Sequence, residues 1–216
     1  MSFLSLYFYF IVLCFFVSLS SYYDSRNKYL RLFPPFLLVT SSAEFISSYV
    51  NYKGQHNVYI YNFFSVCEFS FYLVLMSFII RNKRVKRISL IASGVYGIIS
   101  FINIIFVQGI NTFHTVTYSL GCLLIVAVCF YYFFELFRSP KSVRLSVDPA
   151  FWICSGLLFF YCCGFPLYAF LNFWARFIWM ALNFQTIVSI LNIFLYSLFT
   201  IAFLCNRIPK YTSSSS

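Results

Sequence analysis

Two apolar stretches, residues 58–80 and 88–107, are separated by little more than RNKRVKR, five cations in seven residues. The first carries one carboxylate, Glu68, and the second none. Each is about the length at which a helix rising 1.5 Å per residue crosses the hydrocarbon core of a bilayer, and roughly twice the length of a barrel strand. Where no water bonds the backbone, a run of that length has one folded form open to it, the α-helix.

The pattern repeats along the 216 residues. The chain is 62% apolar and 9% charged, against about 45–50% and 25% in soluble domains, which excludes a water-soluble globule. Seven spans are expected, over residues 3–22, 32–50, 58–80, 88–107, 112–137, 149–171 and 177–205, with a tail at 206–216 and no separate soluble domain. The first has no basic leader, is longer than a signal-peptide core and is followed by Arg26, Lys28 and Arg31, so it reads as a retained helix. Pro34 and Pro35 suit the opening turn of the second span. NYKGQHN (51–57), QGIN (108–111), the 139–148 segment and NFWAR (172–176) are connections, and Asp148-Pro149 is an N-cap followed by proline. Short connections force antiparallel neighbours. The expected fold class is therefore all-α, a polytopic membrane helical bundle of seven transmembrane helices.

The formal charge of +10 raises the question of nucleic acid. Its distribution answers it: every Lys and Arg except Lys53 and Arg176 falls on the first, third or fifth connection or the tail. That alternation places the N-terminus outside and the C-terminus inside, with the lipid bilayer rather than nucleic acid as partner. The eight cysteines form no CxxC pair and lie almost wholly within spans, as packing residues rather than disulfide partners or zinc ligands. The 31 Phe and 18 Tyr read as lipid-facing side chains rather than aromatic cages. No metal or cofactor is expected.

Against this background Glu44 and Glu68 stand out. A carboxylate at membrane depth is costly unless it faces a bundle interior or a wet cavity, so each is a functional-site candidate. Thr40, Ser41, Ser47, Ser48 and Asn51 share the helical face of Glu44; Tyr61, Ser65 and Tyr72 share that of Glu68. At 1.5 Å per residue the two lie about 10 Å and 15 Å below the outer ends of their helices, deep enough to be neighbours. Two such carboxyls do not readily ionise together in a low dielectric, so one holds a proton or the pair holds a cation. The alternative is that each is protonated and bonded to hydroxyls as glue between helices. Matching polar faces occur in span four (Tyr96, Ser100, Asn103), span five (His114, Thr117, Tyr118) and span seven (Gln185, Ser189, Asn192, Tyr196). Together they point to an outward-opening pocket for a small ligand or proton, with Glu44, Glu68, His114, Ser48, Ser65, Tyr72, Tyr118 and Asn192 as its residues. Glu135 is expected to pair with Arg138 at the inner interface, and Gly156, Gly164 and Pro166 to serve helix packing, with a hinge at Pro166 as the alternative.

Known seven-helix classes fit poorly. The last span has no lysine for a retinal Schiff base, and His56 and His114 are the only histidines, without the HxxxH or HExxH spacing of a metal-dependent hydrolase. Spans one to three show no similarity to spans five to seven of the kind a sugar transporter built from repeats requires. YNFFSVCEFSFY (61–72), DPAFWICSGLLFFY (148–161) and LNIFLYSLFTIAFLC (191–205) resemble a group of small, uncharacterised seven-helix integral membrane proteins of Bacteroidota-type bacteria. Some of that group are encoded near, or fused to, sensor histidine kinases, so the resemblance implies sensing without an assigned chemistry. The expected function is a non-enzymatic membrane sensor or accessory subunit acting with a membrane or cytoplasmic signalling partner. A small proton-coupled secondary transporter is the alternative, and an intramembrane enzyme using Glu and His without a motif is a third reading.

Overall fold

A computed structural model of the protein describes residues 3–22, 27–138, 145–170 and 178–207. Most of the 139–148 connection, NFWAR and the tail beyond residue 207 lie outside the described residues. The described chain is all-helical: α1 (Phe3–Tyr22), α2 (Phe33–Tyr52), α3 (Val58–Ile79), α4 (Lys83–Ile102), α5 (Thr115–Arg138), α6 (Pro149–Ala169) and α7 (Ile178–Arg207).

Local chemistry sets where these helices begin. Pro34 and Pro35 occupy the first turn of α2, where a missing N–H costs nothing. Asn82 caps α4 by accepting a 2.9 Å bond from the Arg84 N–H. The cationic cluster is therefore not wholly a connection: Lys83 to Arg87 form the first turns of α4, since Lys and Arg are good helix formers once a cap starts the helix. At its other end α4 widens into a π-turn at Asn103–Val107, closed by Gln108 N–H bonding the Asn103 carbonyl at 2.9 Å. Gly109 then reverses the chain at φ +84°, a conformation glycine takes without strain. As a result α5 opens at Thr115 rather than at residue 112.

Five helices, Val58–Ile79, Lys83–Val107, Thr115–Arg138, Pro149–Ala169 and Asn183–Asn206, are long and apolar enough to cross a membrane, and α1 holds a shorter apolar stretch, Leu6–Leu19. Phe16, Phe45, Ile98, Phe106 and Phe134 are all more than half exposed. An apolar exterior on that scale suits lipid and not water, and the bundle has the character of a multi-pass membrane protein.

The helices form a ring. α1 packs on α2 and α7, α7 on α6, α6 on α5, α5 on α3, and α3 on α2; α4 lies outside, against α3 and α5. Small residues let the walls approach. A Cβ on Gly156 would sit 3.2 Å from Leu195 of α7, and one on Gly121 of α5 would sit 2.8 Å from the Phe69 ring of α3. α3 is the hub of the aromatic core: Phe69 meets Tyr96, Tyr118 and Tyr161, while Tyr72 meets Phe36, Tyr161 and Phe199. Toward the α3–α4 turn the ring is filled by this layer and by Leu73, Met76, Cys154 and Phe203.

Candidate functional site

Inside the ring, at the end away from the α3–α4 turn, is a cavity of about 340 Å³. Six helices wall it, through residues such as Tyr7 of α1, Glu44 of α2, Glu68 of α3, Tyr118 of α5, Tyr168 of α6 and Asn192 of α7; no residue of α4 lines it. The α7 wall runs from Phe184 to Tyr196, about 18 Å at helical rise.

Glu44 reaches the cavity from the seam along which α2 packs, the line through Phe33, Leu37, Thr40 and Ser47, which are all buried. The Tyr7 hydroxyl donates to Glu44 Oε2 at 2.5 Å and the Tyr61 hydroxyl donates to the same oxygen at 3.2 Å. Three helices thus meet at one carboxyl. The rest of the α2 polar stripe is used otherwise. Thr40 and Ser41 donate to the carbonyls of Phe36 and Leu37 one turn back, the usual way a hydroxyl satisfies itself in a helix, and Ser47 accepts from Asn57 at 2.7 Å. Ser48, a predicted site residue, is exposed and lines no part of the cavity. One residue is a rotation of about 100°, and that turns Ser47 inward and Ser48 out.

Glu68 is 9% exposed, and the exposed part faces the same cavity. The two carboxylates of adjacent helices are therefore brought to one enclosed space. The hydroxyls of Tyr161 and Tyr72 are the polar neighbours of Glu68. Neither is within hydrogen-bond geometry of any partner among the described residues, Glu68 included. Tyr72, predicted to belong to the site, lies fully buried beneath Glu68 as part of the floor and does not line the cavity.

His114 is completely buried and stands behind the wall rather than in it. Its Nε2 is 2.6 Å from Ser65 Oγ, its Nδ1 2.7 Å from Thr117 Oγ1, and its backbone N–H bonds Asn62 Oδ1 at 3.3 Å. Both ring nitrogens are occupied, so the ring positions Ser65, which does line the cavity. Asn62 completes the device by donating to the carbonyls of Ile110 and Thr112. Tyr118 and Asn192 both line the cavity; the Tyr118 ring packs 4.1 Å from that of Tyr168 near the mouth, and Asn192 donates to the Val188 carbonyl, leaving its side-chain oxygen for the cavity. Tyr96, Ser100 and Asn103 of α4 are buried but lie outside the cavity lining.

Sequence reasoning missed Tyr7 and the aromatic lining. The signal for Tyr7 was present: Tyr7, Ile11, Cys14 and Ser18 recur at helical spacing within an otherwise bulky run, and all four are buried. The aromatic residues are not only lipid-facing, since nine of the sixteen lining residues are Phe or Tyr. Glu135, expected to pair with Arg138, instead accepts the backbone N–H groups of Arg81 and Asn82 at 2.9 Å each and so locks the α3–α4 turn. Among the described residues no three His, Cys, Asp or Glu side chains gather as a metal site. No family model matches the chain, and neither a curated protein nor a solved structure matches it.

Proposed function

We propose that this protein is a seven-pass subunit of a bacterial cell membrane, N-terminus outside and C-terminus inside, that binds a small ligand in its ring cavity from the outer face and reports the binding to a partner. The observation that carries this reading is that carboxyls from two different helices, Glu44 and Glu68, reach one cavity at the end of the bundle opposite the cationic α3–α4 turn. Groups this costly to bury in lipid are retained where they meet a ligand or an ion. The positive-inside asymmetry makes the cavity end the outer one. α1 and α2 close a ring with four of the five strongly apolar helices, α4 packing outside it, and that shared packing supports counting them as spans too.

Recognition is favoured over passage because the ring below Glu68 is filled by aromatic side chains, so a ligand enters and leaves by the same side. Rearrangement of α3 around an occupied cavity reaches the inner face at the turn that Glu135 holds. The resemblance of three of its patches to proteins encoded near sensor kinases points the same way.

Labelling tests the reading. Ser189→Cys, in the cavity wall, is expected to react with a membrane-impermeant maleimide added outside intact cells, with modification read on the labelled peptide by mass spectrometry. Reaction only from the cytoplasmic side of inverted vesicles overturns the orientation, and no reaction from either side overturns the open cavity. Substrate flux in proteoliposomes that vanishes in the Glu44→Gln, Glu68→Gln double variant replaces the receptor with a proton-coupled transporter.

A further inference from the structure

The chemistry of the lining narrows what the cavity takes. Its sixteen described lining residues include two carboxylates and no Lys, Arg or His, so among the described residues nothing compensates the like charge an anionic ligand meets. Nine of the sixteen are aromatic, and ring faces attract cations through their negative π-surfaces, most strongly where water is excluded. The volume of about 340 Å³ falls within the range of small-molecule pockets, and far exceeds the space of one bare metal ion.

An inorganic cation is also poorly served by the oxygens present. A hard cation takes about six to eight oxygen ligands, from carboxylates, carbonyls and waters. Here the Ser65, Ser189 and Asn192 oxygens keep lone pairs toward the cavity, but they are few beside the rings, which make up most of the described wall. An organic ammonium needs only one carboxylate and the faces of rings.

The two acids are not equivalent. Glu44 already receives the Tyr7 and Tyr61 hydroxyls. Glu68 is nine-tenths buried, and the two hydroxyls beside it, Tyr72 and Tyr161, are fully buried and outside hydrogen-bond geometry of it. These hydroxyls stand behind Glu68 and outside the cavity lining, so of the two acids it is Glu68 that turns toward the cavity without a tyrosine of the lining bonded to it.

From these observations we propose that the ligand is a small organic monocation, an ammonium carried on an apolar body, with its N–H or N–CH groups at Glu68 and its body among the rings of α1, α3, α5, α6 and α7. The proposal rests on the cavity being an outward-facing binding site, and the test separates the two. Full-length protein in nanodiscs is titrated calorimetrically with 2-phenylethylammonium, its neutral analogue 2-phenylethanol, phenylacetate and sodium chloride. The same four compounds are used to protect Ser189→Cys from the maleimide.

The expected result is saturable binding and protection by the ammonium alone, with affinity falling at least tenfold in Glu68→Gln and less in Glu44→Gln. Tyr161→Phe, which keeps the ring and removes the hydroxyl beside Glu68, serves as a second variant where Glu68→Gln fails to fold, and is expected to change ammonium affinity by several-fold through Glu68. Equal binding of the neutral or anionic analogue, protection by sodium, or an ammonium affinity indifferent to both Glu68→Gln and Tyr161→Phe overturns the organic-cation proposal while leaving a binding cavity. Labelling of Ser189→Cys from outside without protection by 2-phenylethylammonium also overturns it. No labelling at all overturns the cavity reading beneath it.

Discussion

At the scale of single residues the energetics gather at Glu44 and at two glycines. The 2.5 Å bond from Tyr7 to Glu44 Oε2 joins α1 to α2, and an intramolecular hydrogen bond contributes about 0.5–1.5 kcal/mol net. Tyr7→Phe keeps the ring and removes only the donor, so it is expected to lower unfolding free energy by about that amount in SDS titration; a loss under about 0.5 kcal/mol means that Tyr61 or water replaces it. Gly121 is held by sterics rather than by backbone freedom. A Cβ there would lie 2.8 Å from the Phe69 ring, so Gly121→Ala is expected to cost about 1–3 kcal/mol as overpacking. Gly164→Ala, whose Cβ would meet nothing closer than 4.0 Å, is expected to be near neutral in the same measurement. The sequence marks the two glutamates by their improbability in lipid. It does not distinguish Gly121 from Gly164, because the difference lies in which ring stands opposite, a fact of another helix.

Elements are held in register by polar side chains that tie backbone across helices. The connection from α4 to α5 hangs on Asn62 of α3, which donates to the carbonyls of Ile110 and Thr112 and accepts from the His114 N–H. Asn62→Ala leaves those groups to find water or stay unpaired, at about 1–3 kcal/mol for an unsatisfied buried group. The expected outcome is faster amide exchange confined to residues 108–115, with α6 and α7 unchanged; exchange altered throughout the bundle contradicts a local role. Helices themselves were legible, because runs of about 20 apolar residues have no other fold in lipid. Their rotation was less so. Thr40, Ser41, Ser47 and Ser48 look alike as a stripe around Glu44, yet the first two close on their own helix, Ser47 faces Asn57 and Ser48 is exposed. His114 was visible as a polar group on the face of span five but not as a buried post, since the π-turn and Gly109 that begin α5 three residues past the expected start also carry it behind Ser65.

The whole molecule depends on closure of the ring by the helices farthest apart in sequence. α1 packs against both α2 and α7, and without it Glu44 loses Tyr7 and the cavity loses a wall. α4 is the opposite case: although among the most apolar segments, it lines no part of the cavity and presents Ile98 outward, 64% exposed. Apolarity therefore does not measure centrality in a bilayer, where lipid solvates an isoleucine as well as protein does and only packing separates them. That contrast makes the architecture testable with two matched truncations. Ile11 of α1 is 1% exposed and sits in the core cluster, so Ile11→Ala opens a void between helices. Its cost is expected to be about 1–3 kcal/mol, below the roughly 2–5 kcal/mol of soluble cores because the transfer term is absent. Ile98→Ala removes the same atoms from a surface that lipid refills, and is expected to change stability by less than about 0.5 kcal/mol. Both are read as shifts of the SDS unfolding midpoint in one preparation. Equal costs, or a larger cost at Ile98, would remove α1 from the ring and with it the three-helix junction at Glu44; the predicted order ties the outer cavity to the first helix of the chain.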